Sequence, residues 1–418
     1  MLKIGQRIRT ASGRILRVVE GPLGGTAGGE GAAFKAEEKA GAPPSIVKVF
    51  LDPALRTERL RRTRWLVAQK LDRVCPAIYA PVDVVESPDA FGYATRFAPG
   101  MDFEQFVAGG TPPPLPAAIQ TGVVLAHAVD ELHRRAIAHG DLHFRNVRLH
   151  RAGDLVRVGL IDLDAFAAPG FPSTAFGCEF YWAPEQRVAV ETGQPFPVNI
   201  ETERFALAVL LHELLLWNHP AGGCGGDAGA MAAVSGKFWA FDPIHRVAAA
   251  DAGLPVGVLN ARLLLLFRRS FARPLAERPS AAEWREALLA ALKSTWVCER
   301  CGGAAVIDDA KVSCPMCGED YPRLSLVLAA GVEVALRDGS TELGRADFGG
   351  AATISSRHAV VRRRGPAYRL ESLGRNGTFQ WDRSGSKWVR LPDRKEVPVA
   401  PGDRLRFADV EAKLMVAS

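Results

Sequence analysis

The segment HGDLHFRN, His139 to Asn146, followed sixteen positions after Asn146 by Asp162 within LIDLD, constrains this chain more than any other feature. The apolar runs VRLH and LVRVGLI flank a turn-forming Arg151-Ala152-Gly153-Asp154, so the intervening stretch reads as a β-hairpin. Such a hairpin returns the chain to its start and sets Asn146 beside Asp162. Their oxygens are hard donors of the kind that hold Mg²⁺, and Asp141 is a carboxylate that can take a proton at the same place. Asp and Asn are also common turn residues, and an isolated HGD would carry little weight. The spacing is what gives the motif its meaning.

Upstream, GPLGGTAGGEGAAFKA supplies Gly28, Gly29 and Gly31 after the strand-like ILRVVE, and IVKVF puts Lys48 in a β-branched strand seventeen residues beyond Gly31. Glycine loops let backbone N–H groups approach phosphates, and a strand lysine can pair with them. In the order glycine loop, lysine, HGD, Asn, Asp, the chain resembles a protein kinase. HGDLH-like loops also occur in small-molecule phosphotransferases such as the aminoglycoside and choline kinases. FGCEFYWAPEQ, with Ala183-Pro184-Glu185, and AERPSAAEW, with Arg278, match the protein kinases instead. A buried carboxylate such as Glu185 needs a cationic partner, and Arg278 is the expected one. RFALAVLLHELL resembles the buried central helix of the C-terminal lobe. Residues 1–293 are thus similar to the bacterial serine/threonine protein kinases. The resemblance implies a bilobal fold in which Gly28, Gly29, Gly31 and Lys48 bind ATP. It also implies that Asn146 and Asp162 bind Mg²⁺, and that Asp141 receives the hydroxyl of a Ser or Thr on a protein substrate.

Several positions depart from that pattern. Gly140 replaces the arginine before the catalytic Asp, so Ser173 and Thr174 need not form a phosphorylated on-switch. His143 replaces a lysine two residues on. Asp162-Leu163-Asp164 lacks the glycine hinge of the usual triplet, and Asp164 is expected to be a solvated carboxylate rather than a second metal contact. Glu203 stands where an Asp usually braces the catalytic loop. Glu58, in ALRTERLRRTR, is the sole nearby acid at a helical position that could pair with Lys48, with a surface role weighing equally. The alternatives are therefore a catalytically inactive scaffold that binds phosphopeptides and, less favoured, a small-molecule phosphotransferase.

A chain of 418 residues with 48% hydrophobic composition accommodates several α+β domains. MLKIGQRIRT has no apolar signal core, and the longest apolar run, ALAVLLHELLLW, is broken by His212-Glu213. Both points argue against export or a membrane span. Cys75, Cys178 and Cys224 are scattered, which favours a reducing cytoplasm over a disulfide scaffold. Ala221 to Ala230, AGGCGGDAGA, reads as a loop inside the first domain.

After residue 293 the chain changes to short strands and turns. Cys298, Cys301, Cys314 and Cys317 form C-x₂-C-x₁₂-C-x₂-C, the pattern of two facing turns around tetrahedral zinc. Four ligands close the shell, so residues 294–322 are expected to form a structural zinc ribbon whose ion supplies much of its stability. Redox thiols or an iron site are the remaining readings.

In residues 323–418, Gly344-Arg345, Ser355, His358 and Asn376-Gly377-Thr378 follow one another with strands between. This order resembles the forkhead-associated domain, an all-β sandwich whose end loops bind phosphothreonine. The resemblance implies that Arg345 and Ser355 grip phosphate, that Ser356 assists, that Asn376 holds the peptide backbone and that His358 braces the loops. Residues 323–418 hold 17 Lys+Arg against 11 Asp+Glu, whereas residues 1–322 hold 35 of each, so the whole surplus of +6 lies here. A basic surface suits a phosphorylated partner, or phosphothreonine on the chain itself. Arg362-Arg363-Arg364 has no interleaved aromatics, which argues against a nucleic-acid patch. The three-part architecture is similar to kinases that work beside a metal-dependent phosphatase and a von Willebrand-type protein in bacterial phosphorylation modules, and such proteins are the partners it implies.

Overall fold

The computed structural model describes residues 1–417 apart from 24–30, 89, 104, 106–112, 153–154, 174–176, 222–238, 240, 242–252, 272–274, 309–310 and 383. The chain divides into two compact units, Met1–Val256 with Arg262–Leu292, and Gly257–Ala261 with Lys293–Ser418. Among the described residues no helix is long and apolar enough to cross a membrane.

The first unit mixes sheet and helix. Its antiparallel sheet has the order β1-β2-β3-β4-β6-β5, with β1 Arg7–Arg9, β2 Ile15–Glu20, β3 Gly31–Glu37, β4 Ser45–Phe50, β5 Asp83–Glu86 and β6 Phe91–Arg96. Alternation of side chains along these strands puts Leu16, Val18, Ala32, Phe34, Ala36, Val47 and Val49 into one core layer. Helix α1, Arg56–Gln69, follows β4 and packs on β5 and β6. The helices α2, Leu115–His133, α3, Ile200–Leu216, and α4, Ala281–Leu292, pack together, with α2 between the other two. α3 starts at an Asn199 cap whose side chain accepts from the N–H groups of Glu201 and Thr202. It is buried on most of its surface, around the continuous apolar run Phe205 to Leu211.

A three-stranded sheet joins β7, Met101–Asp102, to the hairpin of β8, Val147–Ala152, and β9, Leu155–Leu160. Val147 pairs with Leu160, which leaves Asn146 and Asp162 at the same end of the hairpin. Gly153 and Asp154 of the expected turn lie outside the described residues, as do residues 222–230 of the glycine-rich stretch.

The second unit contains the short hairpin of β10, Thr295–Val297, and β11, Ala304–Val306, and a sandwich of two antiparallel sheets. The strands that carry the argument below are β14 Ser340–Leu343, β15 Ala359–Arg364, β16 Ala367–Ser372, β17 Thr378–Asp382 and β18 Lys387–Arg390. With β12 Leu324–Leu328, β13 Glu333–Ala335, β19 Glu396–Val399, β20 Arg404–Phe407 and β21 Val410–Val416, one sheet has the order β13-β12-β21-β20-β17-β18 and the other β14-β15-β16-β19. Leu326, Leu343, Ile354, Val361, Leu370, Leu405, Phe407 and Leu414 fill the space between the sheets.

Hairpin and sandwich are held together inside this unit by Arg363, which is almost fully buried. Its Nη2 donates to the Tyr321 carbonyl at 2.8 Å and its Nε to the Gly365 carbonyl at 2.9 Å, and its Nη1 pairs with Asp338. The triple-arginine run is therefore not an exposed patch. Strand alternation turns Arg363 inward, while Arg362 pairs with Glu371 and Glu396.

Candidate functional site

A cleft of about 670 Å³ lies in the first unit, lined among others by Leu23, Ala33, Ile46, Lys48, Tyr93, Ala98, Arg145, Ile161 and Asp162. That volume is within the usual range for a small-molecule or cofactor pocket. Lys48 reaches its inner end from the middle of β4, opposite Ala33 of β3. Gly31 opens β3, and a Cβ there would lie 3.4 Å from Lys48 Cε. Gly28 and Gly29 lie outside the described residues.

Lys48 Nζ is 2.5 Å from Asp162 Oδ1 and 2.9 Å from Asp164 Oδ2. Tyr93 Oη donates to the same Asp162 oxygen at 3.2 Å. Burial works against the Lys48 cation, but Asp164 and then Asp162 more than offset it and hold its pKa above the ordinary value. Burial and the nearby Asp162 charge push the Asp164 carboxyl up to about 6. For Asp162, burial raises and Lys48 lowers, and the net direction is down. Asp162 adopts φ 63°, ψ 57°, a left-handed conformation uncommon for a residue with a side chain and characteristic of functional positions.

Two expectations are corrected here. Asp164 is not solvated; its side chain is 9% exposed. Glu58 does not approach Lys48, for its side chain is 48% exposed and pairs with Arg61 at 2.8 Å. The inner face of α1 carries Arg62, which donates through Nη1 to the Pro172 carbonyl at 2.9 Å and through Nη2 to that of Phe166. Trp65 stacks on the Phe166 ring at 5.1 Å. Nothing in the local sequence marks Arg62 as buried. Asp164 did leave a signal, because a second acid two residues beyond Asp162 falls within a single 3₁₀ turn.

Asp141 lies at the start of the hairpin loop. Asn146 Nδ2 donates to its carbonyl at 2.8 Å and to Oδ2 at 3.0 Å, and His143 Nε2 is 3.2 Å from Oδ1. His143 Nδ1 accepts from the Arg145 N–H, so the ring proton of the neutral imidazole sits on Nε2, facing Asp141. Burial raises the Asp141 pKa, but the hydrogen bonds from His143 and Asn146 bring it below the ordinary value. Glu203 braces the loop as expected, accepting from the Gly140 N–H at 3.0 Å and pairing with His133. Gly140 itself has φ +84°, and a Cβ would lie 2.2 Å from the Ala165 carbonyl oxygen. The expected Glu185–Arg278 pair is present and bidentate, at 2.6 and 2.8 Å. Ser173 lies among the described residues and Thr174 outside them.

In the second unit the Sγ atoms of Cys298, Cys301, Cys314 and Cys317 all lie within 4.8 Å of one another. Cys298–Cys317 and Cys301–Cys314 are each 3.8 Å apart. A tetrahedron of Zn–S bonds of about 2.3 Å has edges of about 3.8 Å, so the cluster is compatible with zinc. A backbone N–H from Cys301 holds the Cys298 thiol down to about 7, which favours the thiolate a metal needs.

At one end of the sandwich, the β14–β15 and β16–β17 connections meet. Arg345 N donates to the Ser355 carbonyl at 3.1 Å and Arg345 Nε to that of Ile354 at 3.0 Å. Arg375 N approaches Ser355 Oγ at 3.4 Å, and Asn376 Nδ2 donates to the Thr353 carbonyl at 2.8 Å. His358 is fully buried beneath them. Its Nδ1 accepts from Ser355 N at 3.1 Å, so Nε2 carries the proton and donates to the Gly377 carbonyl at 3.0 Å. One imidazole thus fixes both loops. A Cβ at Gly344 would lie 2.0 Å from the Ser356 carbonyl oxygen, so only glycine fits before Arg345. Arg345, Ser356 and Asn376 are exposed around a half-buried Ser355.

The FHA domain family model matches residues 343–408. The chain therefore carries an FHA domain, a phosphothreonine-binding signalling module, and the match covers the loops just described. No curated protein matches the chain. Within the FHA domain, Arg345 keeps its side chain anchored through Nε alone. Its two terminal nitrogens have no protein hydrogen bond among the described residues, so the planar fork faces solvent beside Ser355.

Proposed function

We propose that the protein is an ATP- and Mg²⁺-dependent serine/threonine protein kinase whose FHA domain docks a phosphothreonine-bearing partner or the chain itself. The observation that carries the first half is the meeting of Lys48 and Asp162 at the inner end of the 670 Å³ cleft, with Asn146 and Asp141 at the adjoining loop. A cation for phosphate, two oxygen donors for a metal and a positioned carboxylate are what phosphoryl transfer asks of a protein. Asn146 and Asp162 would hold Mg²⁺, which when bound neutralises phosphate charge. Asp141 would orient the acceptor hydroxyl, itself held by Asn146 and His143. The Glu185–Arg278 pair supports a protein acceptor, since it belongs to the part of the resemblance that small-molecule phosphotransferases lack.

The second half rests on Arg345, Ser355, Ser356 and Asn376, whose surface can cradle a dianionic phosphate with charge-assisted hydrogen bonds. Incubation with γ-labelled ATP and Mg²⁺ tests the kinase reading: label should enter protein Ser or Thr, and Asp141→Asn should cut its entry by at least about a hundredfold. Label in small alcohols would establish the phosphotransferase reading, and absence of any transfer with intact phosphothreonine binding would establish the scaffold.

A further inference from the structure

We infer that Asp164 is the positioning residue for Lys48, taking the task for which a carboxylate on α1 was expected. This rests on the kinase reading and adds to it the means by which the phosphate-binding lysine is held. The chain has three acids within reach of the question, Glu58, Asp162 and Asp164. Glu58 is excluded by its outward direction and its pairing with Arg61. Asp162 lines the cleft, where a metal would draw its charge away from Lys48, and Asp164 does not. Asp164 remains at 2.9 Å, on the turn Leu163–Ala165 that follows Asp162, and it is too buried to serve solvent.

Helix α1 is correspondingly freed from the lysine and fastened elsewhere. Arg62 is buried against the carbonyls of Phe166 and Pro172. Its guanidinium lies 4.3 Å from the Phe166 ring centre, and Trp65 stacks on Phe166 and meets Phe171 at a tilt. A lysine held by a helix carboxylate can be switched by moving that helix. Here the anchor Asp164 and Asp162 share one short segment that faces Lys48 of β4, and α1 is clamped to the residues just beyond it. The lysine site is assembled without a swing of α1.

The test uses the full-length chain. Asp164→Asn keeps the shape and removes the charge; it should lower kcat/KM for ATP by about a hundredfold, the scale of a ~1 Å misplacement, with KM for the protein acceptor unchanged. Asp164→Glu should recover at least tenfold of that loss. Glu58→Gln should stay within twofold of wild type. A double-mutant cycle with Lys48→Met should be strongly non-additive, because both single changes remove the same contact. A silent Asp164→Asn, strict additivity, or a tenfold loss in Glu58→Gln would overturn the inference. Glu58→Gln keeps it falsifiable should Asp164→Asn not fold. A wild-type chain that transfers no phosphate and binds no nucleotide would instead overturn the kinase reading itself.

Discussion

Arg363 Nη2 donates to the Tyr321 carbonyl over 2.8 Å, and this bond ties strand β15 of the FHA domain to the segment that closes the cysteine cluster. Tyr321 in turn packs against Cys298, Cys314 and Trp296. Loss of Arg363 would leave two carbonyls without their donor in a dry site, and each such group costs about 1–3 kcal/mol. Arg363→Ala should therefore lower the stability of the second unit by several kcal/mol, in low and high salt alike. Denaturant melts at two ionic strengths check this; a loss that fades with salt would mean the side chain acts only through its surface charge.

The same connection makes the metal a concern of the sandwich. Elemental analysis should find about one zinc per chain, and Cys301→Ser or a strong chelator should lower the melting temperature of the unit that carries the FHA domain. With four thiolates closing the shell, neither treatment should touch phosphate transfer directly. A metal-free chain that melts like wild type would remove zinc from the description.

Phosphothreonine binding should depend on Arg345 above every other arginine of the domain. Removing one member of a hydrogen-bonded charge pair costs about 2–5 kcal/mol, so Arg345→Ala should weaken a phosphothreonine peptide by at least about thirtyfold. Calorimetry with the phosphorylated and unphosphorylated peptide decides the matter, and equal affinity for both would mean that the loops do not read phosphate.

Asp141→Asn should reduce phosphate transfer by roughly 10²–10⁴-fold, the contribution of a general base. The amide keeps the shape but turns an NH₂ toward one of the two donors, Asn146 Nδ2 or His143 Nε2, so thermal melts alongside the assay separate lost chemistry from lost packing.

Burial pushes the Glu213 carboxyl, bonded to Tyr181, from its ordinary 4.5 up to about 8. The folded chain therefore binds this proton more tightly than the unfolded one. Its contribution to stability is greatest below pH 4.5, declines by up to about 1.4 kcal/mol per unit as pH rises toward 8, and is level beyond. Glu213→Gln should remove that slope. Urea midpoints at pH 5.5 and 7.5 for both proteins measure it, and equal slopes would place the titration elsewhere.

What could be read from the sequence was whatever local spacing encodes. The hairpin between Asn146 and Asp162, the four cysteines, the Glu185–Arg278 pair and the Gly344–Arg345 loop are each written in short motifs, and the structure brings each of these groups together. Arg62 and Arg363 were missed because a charged side chain in a surface-like run gives no local sign of burial, whereas Asp164 was misjudged although the apolar residues around it were a sign. Only tertiary packing decides which residue of Arg61-Arg62 or Arg362-Arg363-Arg364 turns inward. For Arg363 the two-residue period of a strand held the answer; for Glu58 the choice of helix face depended on aromatic residues a hundred positions away.

Gly140, pressed against the Ala165 carbonyl, has a consequence for the history open to this chain. An arginine at that position cannot be installed by one substitution, since any side chain there meets the Ala165 backbone. The 165 segment would have to retreat first, and it carries Phe166, on which Arg62 and Trp65 of α1 rest. Control by a phosphorylated loop is thus separated from the present sequence by several coupled changes, so descendants of this protein would acquire new regulation more readily through what the FHA domain binds.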